Sequence, residues 1–417
     1  MPVSVRKRSW VTSKGVKKQA WVADYVDQAG KRHIKSFDRK KDADAFEAGA
    51  KVEVAEGIHT ADSTSITVAQ AAALWLETCL QVGLEATTID AYRQHVELHI
   101  KPFIGSVKLS QINIAAVRDF EDRLRAGDPS GEGARGAKPR SPAMVKRVRT
   151  SLGAILADAQ ERGLLARNVV RDLRARRTRG KEKHAEKRHK GKLRVGVDIP
   201  TREEIKAILD HAEGRWKPLL WTSVLAGLRS SELRGLRWDD VKFKEKEIHV
   251  TQRADRYKKM GPPKSDAGTR LIPLPPLLVN TLKAWKLACP TSDLDLVFPT
   301  GAGTIEYHVN IVQRGYLPAQ ERAGLIVPKR DKAGNLVIKD GKQVMEAKYT
   351  GLHALRHFFA SWCINRRADG GLEMTPKMVQ ERLGHSSITM TMDVYGHLFP
   401  RIDDEEELAA AERSLLI

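Results

Sequence analysis

Three cysteines in 417 residues, Cys79, Cys289 and Cys363, are too few and too scattered for a disulfide framework or a zinc-ligand spacing. A reducing, cytoplasmic setting is the expectation. No stretch approaches the roughly 20 consecutive apolar residues that a membrane span needs. The opening MPVSVRKRSW is basic and no apolar run follows it, so no secretory signal is expected there. Without a GxxxxGKS/T loop, nothing points to nucleotide hydrolysis. Acidic residues are also short: 52 Asp and Glu face 72 Lys and Arg, for a net charge of +20 and a pI near 9.8. Such a surplus favours a polyanion, because each phosphate neutralised by Lys or Arg releases condensed counterions. Nucleic acid is the first candidate, with ribosomal association or an anionic membrane surface as the alternatives. At 41% hydrophobic and 30% charged, the chain has enough apolar material for two or three domains.

Residues 1–62 form a small basic unit. WVTSKG and QAWVADYVDQAGKRHIKSF read as two or three short strands, with Trp21, Val22, Tyr25 and Val26 set among polar residues and a turn signal at Gln28-Ala29-Gly30. KKDADAFEAGAKVEVAEG reads as a helix with Ala43, Phe46, Ala50 and Val54 on one face. Residues 1–41 hold twelve Lys/Arg against three Asp/Glu. A three-stranded sheet backed by a helix can lay a basic face into a DNA major groove. Arg6, Lys7, Arg8, Lys17, Lys18, Lys31 and Arg32 are the candidate contacts. The alternative is a basic tail without partner specificity.

Residues 63–175 read as all-helical. TVAQAAALWLETCLQVGL, TTIDAYRQHVELHIKPFIG and NIAAVRDFEDRLRAG carry Thr or Asn start signals. The Gly/Pro/Ser-rich loop GDPSGEGARGAKPRSP precedes a last helix, AMVKRVRTSLGAILADAQERGLL, on which Arg147 and Arg149 are candidate DNA contacts. Residues 176–197 are a basic linker: over 171–194, twelve Lys/Arg stand against three Asp/Glu with almost no large apolar side chain. It reads as a segment lying along DNA through Arg174, Arg176 and Arg177, or as a solvated tether. Residues 198–400 form a third domain, opened by IPTREEIKAILDHAEG with a Thr cap and glutamates two and three positions on. The tail 401–417 carries six Asp/Glu and two Lys/Arg and then turns apolar. It reads as a short helix whose Leu408, Ala411 and Leu415 dock on a neighbouring copy or on their own domain.

The third domain holds the residues that suggest chemistry. In LLWTSVLAGLRSSELRGLRWDDV an apolar face is followed by Arg229, with Glu232 three positions later to fix its guanidinium fork. A surface Arg–Glu pair is the bland reading. KEIHVTQ and KKMGPPKSDAGTRLIPLP read as one β-hairpin with Lys264 near its turn. VPKRDKAGNLVIKDGKQVMEAKY reads as a polar hairpin with a glycine at each turn. In TGLHALRHFFASWCINR, Thr350 is the expected cap of a helix that puts His353 and Arg356 on one face. His353 and His357 stand four apart, yet a zinc-protease reading needs Glu after the first His, where Ala354 stands. MTPKMVQERLGHSSITMTMDVYGHL places His385 after one helix and Tyr395 ten residues on; alone it passes for a helix-turn-helix.

Together, AGLRSSELRGLRWDDV, PKSDAGTRLIPL, HALRHFFASW and LGHSSITMTMDVYGHL resemble, in order and spacing, the signature regions of tyrosine site-specific recombinases of the phage-integrase family. The resemblance covers residues 200–400 strongly. The helical unit resembles the family's core-binding, SAM-like domain, and residues 1–62 resemble, more weakly, an arm-type DNA-binding domain. The implied fold class is multidomain and mainly α with small β-sheets. It comprises an N-terminal three-stranded sheet plus helix, a helical core-binding domain, an α+β catalytic domain and a tail helix. The implied roles are phosphate clamping by Arg229 and Arg356, nucleophilic attack by Tyr395 and general-acid catalysis by Lys264. His353 would assist proton transfer, His385 would hydrogen-bond the phosphate, and Glu232 would orient Arg229 or a neighbour. No cofactor or metal is implied. The implied partners are double-stranded DNA with attachment sites, a homotetramer on that DNA, and a DNA-bending host factor and an excision factor. A type IB topoisomerase shares this residue set, and a chromosome-dimer resolvase shares the family. A non-enzymatic DNA-binding regulator would have no reason to hold all six residues together.

Overall fold

The structure is a computed structural model. It describes residues 4–13, 15–26, 31–55, 62, 64–127, 138–173, 192–331, 334–400 and 405–416. Arg174, Arg176 and Arg177, most of the basic linker and the Gln28-Ala29-Gly30 turn lie outside the described residues. The chain divides into two compact units, 1–178 and 179–417. It is mainly helical with small sheets.

In the first unit, β1 (Ser4–Val11), β2 (Lys17–Val26) and β3 (Arg32–Phe37) form an antiparallel sheet in the order β1-β2-β3. Trp21 pairs with Lys7 and with Phe37, so these three share a face. Helix α1 (Lys40–Ala55) packs on that face, with Phe46 5.6 Å from the Tyr25 ring and 5.3 Å from that of Phe37. The helices α2 (Val68–Gln81), α3 (Ala86–His95), α4 (Ile114–Ala126) and α5 (Pro142–Glu161) follow. Thr67 caps α2 in a reciprocal box with Gln70, and Asn113 and Ser141 cap α4 and α5. Each such cap stabilises its helix by about 1 kcal/mol. The expected threonine start of α3 is absent: its cap position is Glu85, with no side-chain cap bond. Beyond His95 the backbone runs through a π-helical turn, Val96–Ile100, so the periodicity past α3 is not that of one regular helix. Val68, Trp75, Ile100, Leu109, Phe120, Leu124, Leu152, Ile155 and Leu156 are buried together as this unit's core.

In the second unit Thr201 caps α6 (Arg202–Asp210) in a reciprocal box with Glu204, as its sequence implies. Helices α7 (Trp216–Ala226) and α8 (Ser230–Gly235) come next, then β4 (Val241–Lys242), β5 (Glu247–Val250), β6 (Arg253–Ala254), β7 (Met260–Gly261) and β8 (Arg270–Pro273). The sheet order is β4-β5-β8, while β6 and β7 pair separately. The single hairpin expected over this stretch is therefore two nested ones, and Lys264 lies in the loop after β7 rather than at a hairpin turn. Helix α9 is Pro276–Ala288, and a helical run through residues 308–322 ends in α10 (Leu317–Arg322). The polar excursion pairs β9 (Ile326–Pro328) with β12 (Met345–Ala347) and β10 (Ile338–Lys339) with β11 (Lys342–Gln343). Gly334 and Gly341 supply positive φ at its turns.

The last helices are α11 (His353–Ile364), α12 (Pro376–Leu383), α13 (Ile388–Tyr395) and α14 (Glu405–Leu415). Thr350 does not cap α11; the cap position is Leu352, with no side-chain cap bond. Leu408 and Leu415 of the tail helix are exposed, so they do not bury themselves on this chain. Among the described residues no helix is long and apolar enough to cross a membrane. The main core of this unit joins α6, α7, the small sheet, α9 and α11. A second apolar cluster gathers Phe359, Ala360, Cys363, Ile364, Val379 and Leu383 around Tyr395.

Candidate active site

Two glycines at helix C-termini set up the site. Gly227 ends α7 with φ +58°, where a Cβ would fall 2.1 Å from Phe359 Cδ1. Gly384 ends α12 with φ +61°, where a Cβ would fall 2.8 Å from the Ala267 carbonyl oxygen. Both positions need left-handed backbone and have no room for a side chain.

The end of α12 leaves carbonyls that its own helix cannot satisfy, at the negative end of the dipole. Three arginines take three consecutive ones. Arg270 Nε donates to Arg382 O at 2.9 Å, Arg356 Nη2 to Leu383 O at 2.5 Å, and Arg229 Nη2 to Gly384 O at 2.7 Å. Arg356 also donates to Gly227 O at 2.6 Å.

Glu232 binds this group from α8. Its carboxylate accepts from Arg229 Nη1 at 2.7 Å, from the Arg229 backbone N–H at 2.9 Å and from Arg270 Nη2 at 2.9 Å. Burial alone would raise its pKa, but the Arg270 and Arg229 guanidinium groups override that and hold the carboxyl down at about 2. Arg356 is 3% exposed; burial, then the Arg229 charge, brings it down to about 9, so it stays protonated at neutral pH.

Tyr395 ends α13 at 2% exposure. Its Oη lies 2.7 Å from His357 Nδ1. Burial pushes the phenol up to about 12, against the opposing pull of Arg356 and Arg229. The buried His385 ring lies parallel to the Tyr395 ring, 6.3 Å between centroids, and its Nδ1 is 3.0 Å from Thr391 Oγ1. Burial, then Arg356 and Arg229, holds His385 down at about 4. His353 stands at the rim, its ring perpendicular to that of His357 at 4.7 Å. Partial desolvation, then Arg356 and Arg229, keeps its imidazole below the ordinary range. Lys264 is exposed and makes no hydrogen bond or ion pair with the described residues.

The arrangement brings Arg229, Glu232, Arg356, His385 and Tyr395 into one centre, with His353 at its edge. Lys264 is not held in it. Two members escaped the sequence reading. Arg270 gave only a weak signal, a charge alternating with apolar residues in a strand. His357 was weighed only as half of a metal pair, although it follows Arg356 directly and shares a helix face with His353. Among the described residues there is no cluster of three or more His, Cys, Asp or Glu that could hold a metal ion.

The candidate DNA contacts divide differently. Arg6 and Arg32 both pair with Asp24. Arg8 and Lys18 share that sheet face, away from α1, exposed and without a partner among the described residues. Lys7 and Lys17 alternate onto the α1 side. Lys31 is exposed just before β3. On α5 Arg147 is exposed, whereas Arg149 donates to the buried Glu121 at 3.0 Å, beside Arg125 at 3.0 Å and Arg118 at 3.5 Å.

A fixed cluster of guanidinium groups beside a buried tyrosine can hold an anionic group, such as a phosphate, next to the phenol oxygen. The profile of the phage integrase family matches residues 200–401, and that of the phage integrase N-terminal SAM-like domain matches residues 67–125. The chain is 26% identical over 394 residues to a tyrosine recombinase XerC-like protein of Caldanaerobacter subterraneus subsp. tengcongensis, covering 90% of each protein. It is 25% identical to the prophage integrase IntR of Escherichia coli K12 over 51% of this chain and 50% of that one. Among solved structures, the Tn1549 transposon integrase in complex with circular intermediate DNA matches with a TM-score of 0.57, at 18% identity over 84% of this chain and 99% of that one. The lambda integrase tetramer bound to a Holliday junction matches with a TM-score of 0.52, at 15% identity over 95% of this chain and 98% of that one. The chain belongs to the phage integrase family of tyrosine recombinases, enzymes that cleave and rejoin DNA.

Proposed function

We propose that this recombinase integrates or excises a mobile element, a phage or a genomic island, through a 3′-phosphotyrosine at Tyr395. The observation that carries the reading is the buried centre in which Arg229, Arg356, His385 and Tyr395 meet at the end of α12. Arg229 and Arg356 clamp the scissile phosphate; their fixed positive charge stabilises the charge that develops on its oxygens. Tyr395 Oη gives up its proton with the help of His353 and bonds to phosphorus as the bond to the 5′ oxygen breaks, and Lys264 protonates that leaving oxygen. His353 assists proton transfer, and His385 hydrogen-bonds the phosphate. Glu232 keeps Arg229 and Arg270 in register. The exposed Lys264 would be brought in with DNA, since none of the described residues holds it.

The phosphotyrosine preserves the phosphodiester's energy, so a 5′-hydroxyl from the partner duplex rejoins the strand by the reverse attack, without ATP or a metal ion. Residues 1–62 would bind arm sites, 63–175 the core site and 198–400 the cleavage site, with 176–197 lying along the duplex. Four copies on two attachment sites would be the working unit, with the tail 401–417 docking between copies. A host DNA-bending factor and an excision factor would set direction.

A nicked duplex carrying the junction repeat of the element that bears this gene tests the reading. Wild type is expected to form an SDS-resistant, protease-sensitive protein–DNA band without ATP, and Tyr395→Phe none. Tight binding by wild type with no covalent band overturns it.

A further inference from the structure

Every arginine of the site has a protein partner that explains its position. The nucleophile has one too, and it is none of the residues assigned above. Tyr395 Oη meets His357 Nδ1 at 2.7 Å, and the two rings stand at 62° with centroids 5.7 Å apart. Around this pair the environment is apolar: Phe359, Cys363, Val379 and Leu383 pack with Tyr395. The charged and titratable groups facing it are His353 and Arg356 on the same helix, Arg229 from the start of α8, His385 from the turn before α13 and, pulling the imidazole the other way, Asp198 from the segment before α6.

The hydrogen must lie between these atoms in one of two ways. A protonated imidazole would donate to the tyrosine oxygen and tie up a lone pair. A neutral imidazole accepts at Nδ1 when its own proton is on Nε2, and donates there when that proton is on Nδ1. Burial, then His353 and Arg356, holds His357 down at about 4, so at neutral pH the imidazole is neutral. In the tautomer protonated at Nε2 the phenol donates, and its oxygen keeps its lone pairs for phosphorus.

We infer that His357 is a positioning residue for the strand-cleavage reaction, holding the Tyr395 hydroxyl by accepting its hydrogen bond at Nδ1, so that the lone pairs of Oη are left for attack. This rests on Tyr395 being the nucleophile. His357 has no contact with DNA to make in this role, so its loss changes the rate of cleavage and not the affinity for the site. A packing role gives the opposite ranking of substitutions: Phe would fill the space and serve well, whereas Asn would leave part of it empty. An acceptor role favours Asn, whose Oδ1 stands close to the place of Nδ1.

The test measures single-turnover formation of the covalent complex on the nicked junction duplex at saturating DNA, together with the dissociation constant for the same duplex. His357→Phe is expected to slow cleavage by about tenfold or more, the scale of one lost hydrogen bond on a reacting atom, with the dissociation constant unchanged within about twofold. His357→Asn is expected to recover most of the rate. A His357→Phe enzyme that cleaves as fast as wild type, or faster, overturns the inference; so does a folded Asn variant as slow as Phe. If the Phe variant fails to fold, the 15N shifts of the wild-type imidazole still decide: a protonated Nε2 and a hydrogen-bonded, unprotonated Nδ1 support the assignment, and a proton on Nδ1 overturns it. Wild type without any covalent band would instead sink the reading of Tyr395 as nucleophile, while the 15N measurement would still report on the hydrogen bond.

Discussion

The cations of the N-terminal sheet and those around Tyr395 are the same kinds of side chain under opposite constraints. On the sheet and among the described residues, Arg8 and Lys18 reach into solvent with no partner, and Arg6 and Arg32 meet only Asp24. In the site, Arg270 and Arg356 are almost wholly buried, and each is oriented by backbone carbonyls of α12. Free cations confer affinity that salt screens, since their benefit is counterion release. Locked cations confer rate, because their orientation is fixed before the transition state forms. A count of Lys and Arg along the chain cannot separate these two uses; burial and partners do.

Four changes sharpen that contrast, beginning with the largest. Arg356→Gln removes a locked charge and should lower covalent-complex formation by about 10³-fold, with much smaller loss of DNA affinity. Equal losses in both would place Arg356 with the free cations.

Glu232→Gln strips the buried counter-charge from Arg229 and Arg270. Breaking such a pair costs about 3–5 kcal/mol, readable as a shift in urea midpoint. The pH dependence follows from the same group. Its folded pKa of about 2 lies below the ordinary 4.5, so its stabilisation is complete above pH 4.5 and is lost as pH falls towards 2. His357 and His385, held at about 4 against an ordinary 6.5, act in the same sense, because the unfolded chain takes up protons first between 6.5 and 4. Stability should therefore fall continuously from pH 6.5 downward, and Glu232→Gln should flatten the lower part of that curve. An unchanged curve would remove Glu232 from the account.

Gly384→Ala tests the scaffold of the locked set. The left-handed backbone and the 2.8 Å approach to Ala267 O should cost about 1–3 kcal/mol, and cleavage should drop further than stability because three arginines bond to carbonyls at that helix end. A loss of stability with normal cleavage would show that the carbonyls do not set the arginines.

The smallest effect is expected at the free cations. Arg8→Gln or Lys18→Gln should each reduce the salt dependence of binding to arm-type DNA by about one unit of slope and leave cleavage at the core site untouched. A change in cleavage would mean that the sheet face does more than bind.

Much of this was legible in the chain. Capping boxes at Thr67 and Thr201, the alternation in QAWVADYV and the four motif segments lie in local chemistry, and local chemistry survives folding. Two of the expectations that failed did so for tertiary reasons. Thr350 offers a capping side chain, but α11 starts at His353 behind Leu352. The stretch from Glu247 to Pro273 has hairpin composition, yet it folds as two nested pairs because β8 returns to β5, a partner some twenty residues away.

The sequence by itself determined the basic charge, the helical and sheet segments, and the identity of most of the residues at the site, since these depend on composition and on spacing within single elements. Only the tertiary structure decided that consecutive carbonyls at the end of α12 would meet arginines from β8, α11 and the start of α8, and that the Tyr395 hydroxyl would meet His357 Nδ1. Such contacts join groups separated by 27 to 155 positions in the chain, and their energies depend on burial and direction, which no local pattern encodes.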